Sequence, residues 1–244
     1  MLKEFEFCGT TFTNGMEGGR LIHPDLPFCW HDPDCVSVTK EGLELSVKIH
    51  SATINHWDGL EYHPWLGRGV AYSKRGDFSY GRYVFDAILP TGPNMEPAIW
   101  LSGHESWPPE IDILEGFNTN IRMRYICWQG TLFPKYKIET NVHYKDNDII
   151  KNIGGGKASL LSLHKPDKEF NTYTLEWHKN FIRIYYNEYL VREVRDSNIL
   201  SFFNSTPKMH VIMSVGMNMQ NTTPGKVLDS KLIVRRFVYQ ASEY

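Results

Sequence analysis

Apolar residues recur at every second position along most of the chain, and a chain patterned in this way folds as strands with one buried face. Gly42 to Ile49 sets Leu43, Leu45, Val47 and Ile49 on one side. Tyr80 to Leu89, Asn120 to Trp128 and Val227 to Tyr239 repeat the pattern with aromatic and β-branched residues, which suit a pleated, half-buried surface. Thr172 to Val194 reads as two successive hairpins with turns near Lys179-Asn180 and Asn187-Glu188. One short helix is expected over Ser197 to Phe203, capped by Asp196 or Ser197 and ended by Pro207. Many short strands and little helix predict an all-β fold, a two-sheet antiparallel sandwich of the jelly-roll type. Such sandwiches commonly reach about 200–250 residues as one unit, so residues 1–244 are expected to form a single domain.

Charge and composition narrow the partners. Twenty-six basic against twenty-eight acidic side chains leave a net charge of −2, which gives a nucleic acid nothing to bind. No run approaches 18 apolar residues, so no membrane span is expected. The opening Met-Leu-Lys-Glu-Phe-Glu-Phe lacks the apolar stretch of a secretory signal. The chain is therefore expected to work where it is made, or to have lost a signal and be extracellular or periplasmic. Aromatic residues make up 14%, a surplus that goes with β-structure, with a stacking platform for a ligand, or with both. Cys29 and Cys35 are close enough to pair, but the four cysteines, with Cys8 and Cys127, are expected as free, partly buried thiols.

Most chemical motifs are missing. His104-Glu105 lacks the second His of a zinc helix, and no Gly-x-Ser-x-Gly elbow occurs. Gly154-Gly155-Gly156 reads as a loop, because no helix with Lys-Ser/Thr follows it. His31, Asp32, Asp34 and Cys35 read as a polar turn. The exception is Trp107-Pro-Pro-Glu110-Ile-Asp112-Ile-Leu-Glu115. On a strand Glu110 and Asp112 share a face, while Ile111 and Ile113 take the other. Strict alternation would bury Glu115 among the isoleucines, which is costly. A β-bulge at Ile113-Leu114 removes the conflict and returns Glu115 to the face of Glu110 and Asp112. Three carboxylates so placed repel one another, so at least one should keep a proton near neutral pH, as a general acid must. Paired carboxylates serve cleavage of a glycosidic bond. A solvated face and a calcium site are the competing readings, although EF-hand spacing is absent.

Glu110-Ile-Asp112-Ile-Leu-Glu115 resembles the signature of glycoside hydrolase family 16 in its bulged form. Ser73-Lys, the stretch from Tyr80 to Gly103, Asn171 to Trp177, Ile182 to Tyr186, Met209 to Gly216 and Phe237 to Gln240 are similar to the family's flanking strands, in order. The resemblance runs from about residue 40 to about residue 240. It implies a concave-faced, concanavalin-like jelly roll whose cleft binds a polysaccharide and cuts it internally with retention, Glu110 being the nucleophile, Glu115 the acid/base and Asp112 the residue that tunes both. His143 resembles a family histidine on the neighbouring strand. Val234 stands where the family's structural calcium would call for an acid, and neither metal nor cofactor is expected.

The sequence departs from the glucanase pattern at Pro109, where Gly is usual, and from Val215 to Gly225, where a Gly-Gly pair and Trp-Pro-Gly are usual. That loop, with Asn218, would border the cleft, so a β-galactan competes with a β-1,3- or mixed-linkage glucan as substrate. Trp107 and Trp128, at either end of the acidic strand's neighbourhood, are placed to stack on sugar rings. Trp57 and Trp65 lie in a stretch with little strand pattern and are candidates for the same role. Trp100 and Trp177 fit core and ligand platform equally. A non-catalytic lectin is the third reading, disfavoured because a binder gains nothing from three crowded acids. The chain is expected to act as a monomer.

Overall fold

The computed structural model describes residues 2–16, 21–22, 26–56, 58–90, 95–116, 122–128, 131–153, 156–161, 165–204, 208–217 and 230–242; within 122–138 and 156–161 it describes the backbone alone. Trp57, Gly154, Gly155, Pro207, Asn218 and Val227 lie outside the described residues, as does the side chain of Trp128.

Two large antiparallel sheets make the sandwich. The first orders its strands Glu4–Phe7, Thr10–Thr13, Val70–Ser73, Met209–Met217, Met95–Gly103, Glu110–Glu115, Thr131–Asp146 and Arg122–Trp128; Ile149–Asn152 and Gly156–Leu161 also pair with the long Thr131–Asp146 strand, for ten strands in all. The second has seven, in the order Tyr189–Val194, Phe181–Tyr186, Asn171–His178, Gly81–Ile88, Leu232–Ala241, Gly42–Leu45 and Val36–Thr39. The alternation supplies the layer between them: Ile99, Leu101, Ile111, Val142, Val211 and Met213 from one side meet Tyr83, Phe85, Leu175, Trp177, Ile182 and Phe237 from the other. This is the expected jelly roll. Both hairpin turns fall at the expected residues, and the helix spans Ser197–Asn204, with the Asp196 side chain accepting from the Asn198 N–H at 2.8 Å. Cys8, Cys29 and Cys35 are free thiols; burial pushes Cys35 up to about 12.

The strand expected over Gly42 to Ile49 is two strands. The Ser46 N–H donates to the Cys35 carbonyl, and the Ser46 carbonyl accepts from Gly69, so the chain leaves the large sheet there. Val47–Ile49 instead pairs with Leu66–Arg68 in a three-stranded flank, whose Cys29–His31 strand pairs in parallel. Leu43, Leu45 and Val47 stay in the core, but Ile49 lies past the break, off the edge of the sandwich, and is 51% exposed.

The acidic strand carries the expected bulge. Ile99 pairs with Leu114 and Trp100 with Asp112, leaving Ile113 over; on the other edge Asp112 and Glu115 oppose Asn141 and Glu139. Ile113 and Leu114 are therefore both fully buried in the core. The bulge breaks the ladder, and the Tyr186 hydroxyl from the opposite sheet closes the gap: it stands 3.1 Å from the Ile113 carbonyl and 3.2 Å from that of Glu139, sharing its one proton. Tyr186→Phe should leave both carbonyls without this donor and cost about 1–3 kcal/mol in urea unfolding, whereas Tyr185→Phe, whose hydroxyl meets Glu176 at the surface, should stay within about 0.5 kcal/mol.

Candidate active site

The registers align the outer face of the ten-stranded sheet into rows. One row runs His143, Glu110, Ser102 and His210; the next Asn141, Asp112, Trp100, Ile212 and Tyr72; the third Glu139, Glu115, Ala98, Ser214 and Val70. Paired residues point to the same face of a sheet, so the three carboxyls of the acidic strand stand in line on successive rows. They line a cleft of about 320 Å³ together with Trp100, Glu96, Ser214, Gly216, Arg68 and His31. Of a small apolar cluster on this face, Val70, Met16 and Trp100 reach the cleft, and Tyr72 and Ile212 lie buried beneath them.

Each carboxyl has different company. The Trp107 indole N–H donates to Glu110 Oε2 at 2.8 Å, from a ring that is 52% exposed. His143 Nε2 stands 3.3 Å from Glu110 Oε1 and 3.4 Å from Asp112 Oδ2. Asp112 is buried, and behind it, from the opposite sheet, lies Arg192, whose Nε donates to Thr140 Oγ1 at 2.5 Å and whose Nη2 donates to the Thr140 carbonyl at 2.8 Å. Glu115 Oε2 is shielded from water and, among the described residues, has no hydrogen-bond partner.

This environment favours the protonated forms. Burial is the first cause for all three: it pushes Glu110 up to about 7, where the Asp112 charge adds to it and His143 and the Trp107 hydrogen bond oppose it. Asp112 also rises to about 7 against the pull of Arg192. Glu115 rises furthest, to about 8, under the added charges of Asp112 and then Glu110. The three interact too closely to titrate separately, so the proton retained near neutral pH belongs to the cluster. The cluster thus sets a carboxyl whose Oε2 has no donor among the described residues, Glu115, beside one that an indole N–H and a histidine help to ionise, Glu110, an asymmetry that suits an acid and a nucleophile.

The structure brings Glu110, Asp112, Glu115, Trp107 and His143 together. Trp65 is elsewhere: its ring packs beside Phe28 against the core, centroids 6.3 Å apart, and is not part of the cleft wall. Trp177 is core, and Trp100 is cleft, its N–H donating to Ser214 Oγ at 3.3 Å. Arg192, Glu96 and Glu139 escaped the sequence reading. For Arg192 the signal was present, since alternation with Val194 turns it inward, and an inward charge on a strand needs a partner. Two groups of described residues bring three metal-ligand atoms within 4.8 Å of one another. Glu110, Asp112 and His143 belong to the acidic cluster already described. In the other, Asp32 caps a short 3₁₀ turn and meets His50 Nδ1 at 2.8 Å, so the stretch is the polar turn expected there.

The sequence model described as "Glycosyl hydrolases family 16" matches residues 29–229. A keratan-sulfate endo-1,4-beta-galactosidase of Sphingobacterium multivorum is 25% identical over 159 residues, covering 62% of this chain and 32% of that protein. A beta-glucanase of Rhodothermus marinus is 25% identical over 144 residues, covering 53% of this chain and 44% of that protein. The chain thus spans about a third to under a half of these curated relatives. Among solved structures, the LamA catalytic domain of Zobellia galactanivorans superposes with a TM-score of 0.66 at 20% identity, over 92% of this chain and 85% of that one.

Protonation of the cluster should show in stability. Folding raises these carboxyls above their ordinary values of 4.5 for Glu and 3.8 for Asp, so the folded state binds the protons more tightly. That contribution is complete below the ordinary values and is lost as pH climbs through about 7 to 8. Urea midpoints measured at pH 5, 7 and 9 should therefore fall across this window, and Glu115→Gln, which carries no charge at any pH, should flatten the fall. Equal slopes for the two proteins would contradict the assignment.

Proposed function

Because the chain belongs to glycosyl hydrolases family 16, we propose that it is a retaining endo-glycoside hydrolase that cuts internal β-linkages of a polysaccharide, in the first place a β-1,3- or mixed-linkage glucan. The supporting observation is the row of three carboxyls that one bulged strand turns to the same cleft. Glu110 attacks the anomeric carbon, while Glu115 passes its proton to the departing glycosidic oxygen and the bond between them breaks. Glu115, now a carboxylate, takes a proton from water as that water displaces Glu110 from the sugar, which restores both groups and leaves the β-configuration. Asp112, buried between them with Arg192 behind, sets the field both feel. Trp107 and Trp100 offer ring faces to the sugar's C–H side; His143, Trp128, Trp57 and Asn218 complete the set proposed to touch substrate, and Trp65 leaves it.

A β-galactan is the second reading. It is favoured by the similarity to an endo-β-galactosidase over a longer stretch of this chain than to the glucanase, and by Pro109 where the glucanase pattern has Gly. A panel of laminarin, lichenan, keratan and agar with product sizing separates the two: polymer length should fall quickly with little free monosaccharide. Binding without new reducing ends would point to a lectin.

Three measurements test the roles. Fresh product followed by NMR should be the β-anomer first. Glu110→Gln should fold normally yet lose several orders of magnitude in turnover, more than Asp112→Asn, which only alters the field. Glu115→Ala should harm natural polymers far more than an activated aryl glycoside, whose leaving group needs no proton, and should abolish the alkaline limb of kcat/KM on that aryl substrate. Equal losses on both substrates would make Glu115 a structural carboxylate.

A further inference from the structure

The cleft holds one arginine that the mechanism does not use. Arg68 lines it together with Glu96, Glu110, Asp112 and Glu115. Its Nε is closed off from water, and among the described residues no acceptor reaches it. An arginine N–H that gives up its water and receives no acceptor in return is a net cost to the folded protein, which a ligand's oxygen would offset; the residue itself is half-buried, so its guanidinium is not sealed off.

Its mounting is rigid. Gly67 and Gly69 flank it; a Cβ on the first would stand 2.5 Å from Asp32 Oδ2, and one on the second 2.6 Å from the Cys35 carbonyl. The Asp32 N–H donates to the Arg68 carbonyl at 3.0 Å, Gly69 donates to Ser46 at 2.8 Å, and Val215 donates to Gly69 at 3.0 Å. Three neighbouring segments thus fix the backbone from which the guanidinium projects. Space is left opposite. Arg68 lies two residues before Val70, which closes the Glu115 row, and the next row pairs Glu96 with Gly216, where an added Cβ would meet nothing within 4 Å.

We propose that Arg68 binds an oxyanion substituent, a sulfate ester or a carboxylate, on the sugar held at the Glu115 end of the cleft, and so selects an anionic β-glycan. The proposal rests on the glycanase reading above. The cleft lining carries four carboxyls and a single arginine, so Arg68 is the permanently charged cation that this lining offers to an anionic chain. The planar fork of arginine matches the two outer oxygens of a sulfate or carboxylate.

Affinity electrophoresis tests this directly. Glu110→Gln, which cannot cut, is run through gels holding keratan sulfate, chemically desulfated keratan, hyaluronan (carboxylates and no sulfate) or laminarin, with and without Arg68→Met or Arg68→Lys. Arg68→Met should weaken binding to the charged polymer by about ten- to a hundredfold and leave desulfated keratan nearly unchanged; Arg68→Lys, which keeps the charge without the fork, should fall between. Loss on keratan sulfate alone assigns a sulfate, and loss on hyaluronan alone a carboxylate. Equal weakening on charged and uncharged polymers, no weakening, or a parent protein that no charged polymer retards would overturn the proposal. If the wild-type protein cuts none of these polymers while Arg68→Met still abolishes charged-polymer retardation, the glycanase reading fails and the anion site stands.

Discussion

The site depends on one extra residue. Without the bulge at Ile113-Leu114, the strand that begins with Glu110 and Asp112 on its outer face would send Glu115 into the layer between the sheets. With it, two consecutive apolar residues enter the core and the third carboxyl returns to the cleft. The gain of apolar burial and the escape from a buried charge both favour the distorted strand. The residual cost, a ladder left open at Ile113, is met by a hydroxyl that only the other sheet can supply. The position of Glu115 is thus a property of the whole sandwich, because the spacing between the layers decides whether Tyr186 reaches.

The same arrangement explains why the acids are charged so reluctantly. A strand in the middle of a sheet has neighbours on both edges and a core beneath, so its outward carboxyls sit low in a cleft instead of on a rim. Desolvation is the first cause of all three shifts. Arg192 relieves Asp112 from below, while Trp107 and His143 relieve Glu110 from above and beside. Glu115 receives opposition only from His143, and three carboxylates press on it.

Much of this was legible in the chain. The sheets follow from the alternation, and the bulge from the cost of burying Glu115, an argument that needs no partner strand. What was not legible has a common cause: it depends on which segments meet. Trp65 stands in a stretch with little strand pattern and Trp100 in a regular one, yet it is Trp65 that packs with Phe28 against the core and Trp100 that meets Ser214 in the cleft. Ile49 continues a perfect alternation and is still exposed, because the Ser46 hydrogen bonds move its strand to a different sheet. Arg192 carried a readable sign, an inward charge, but its object, Asp112, lies across the core.

The cleft lining joins binding to acidity. Val70, Tyr72 and Ile212 form an apolar cluster on the outer face of the sheet, where a water-facing strand would ordinarily place polar residues. Met16 and Trp100 pack over it, and with Val70 they present an apolar surface to the cleft beside the carboxyls. A sugar ring has an apolar face and a polar edge, so a lining of this kind would match both under the proposed function. A ring seated there would displace water from the cleft, and lost hydration raises a carboxyl, so on that reading substrate binding itself would strengthen the hold on the proton that the acid must give up.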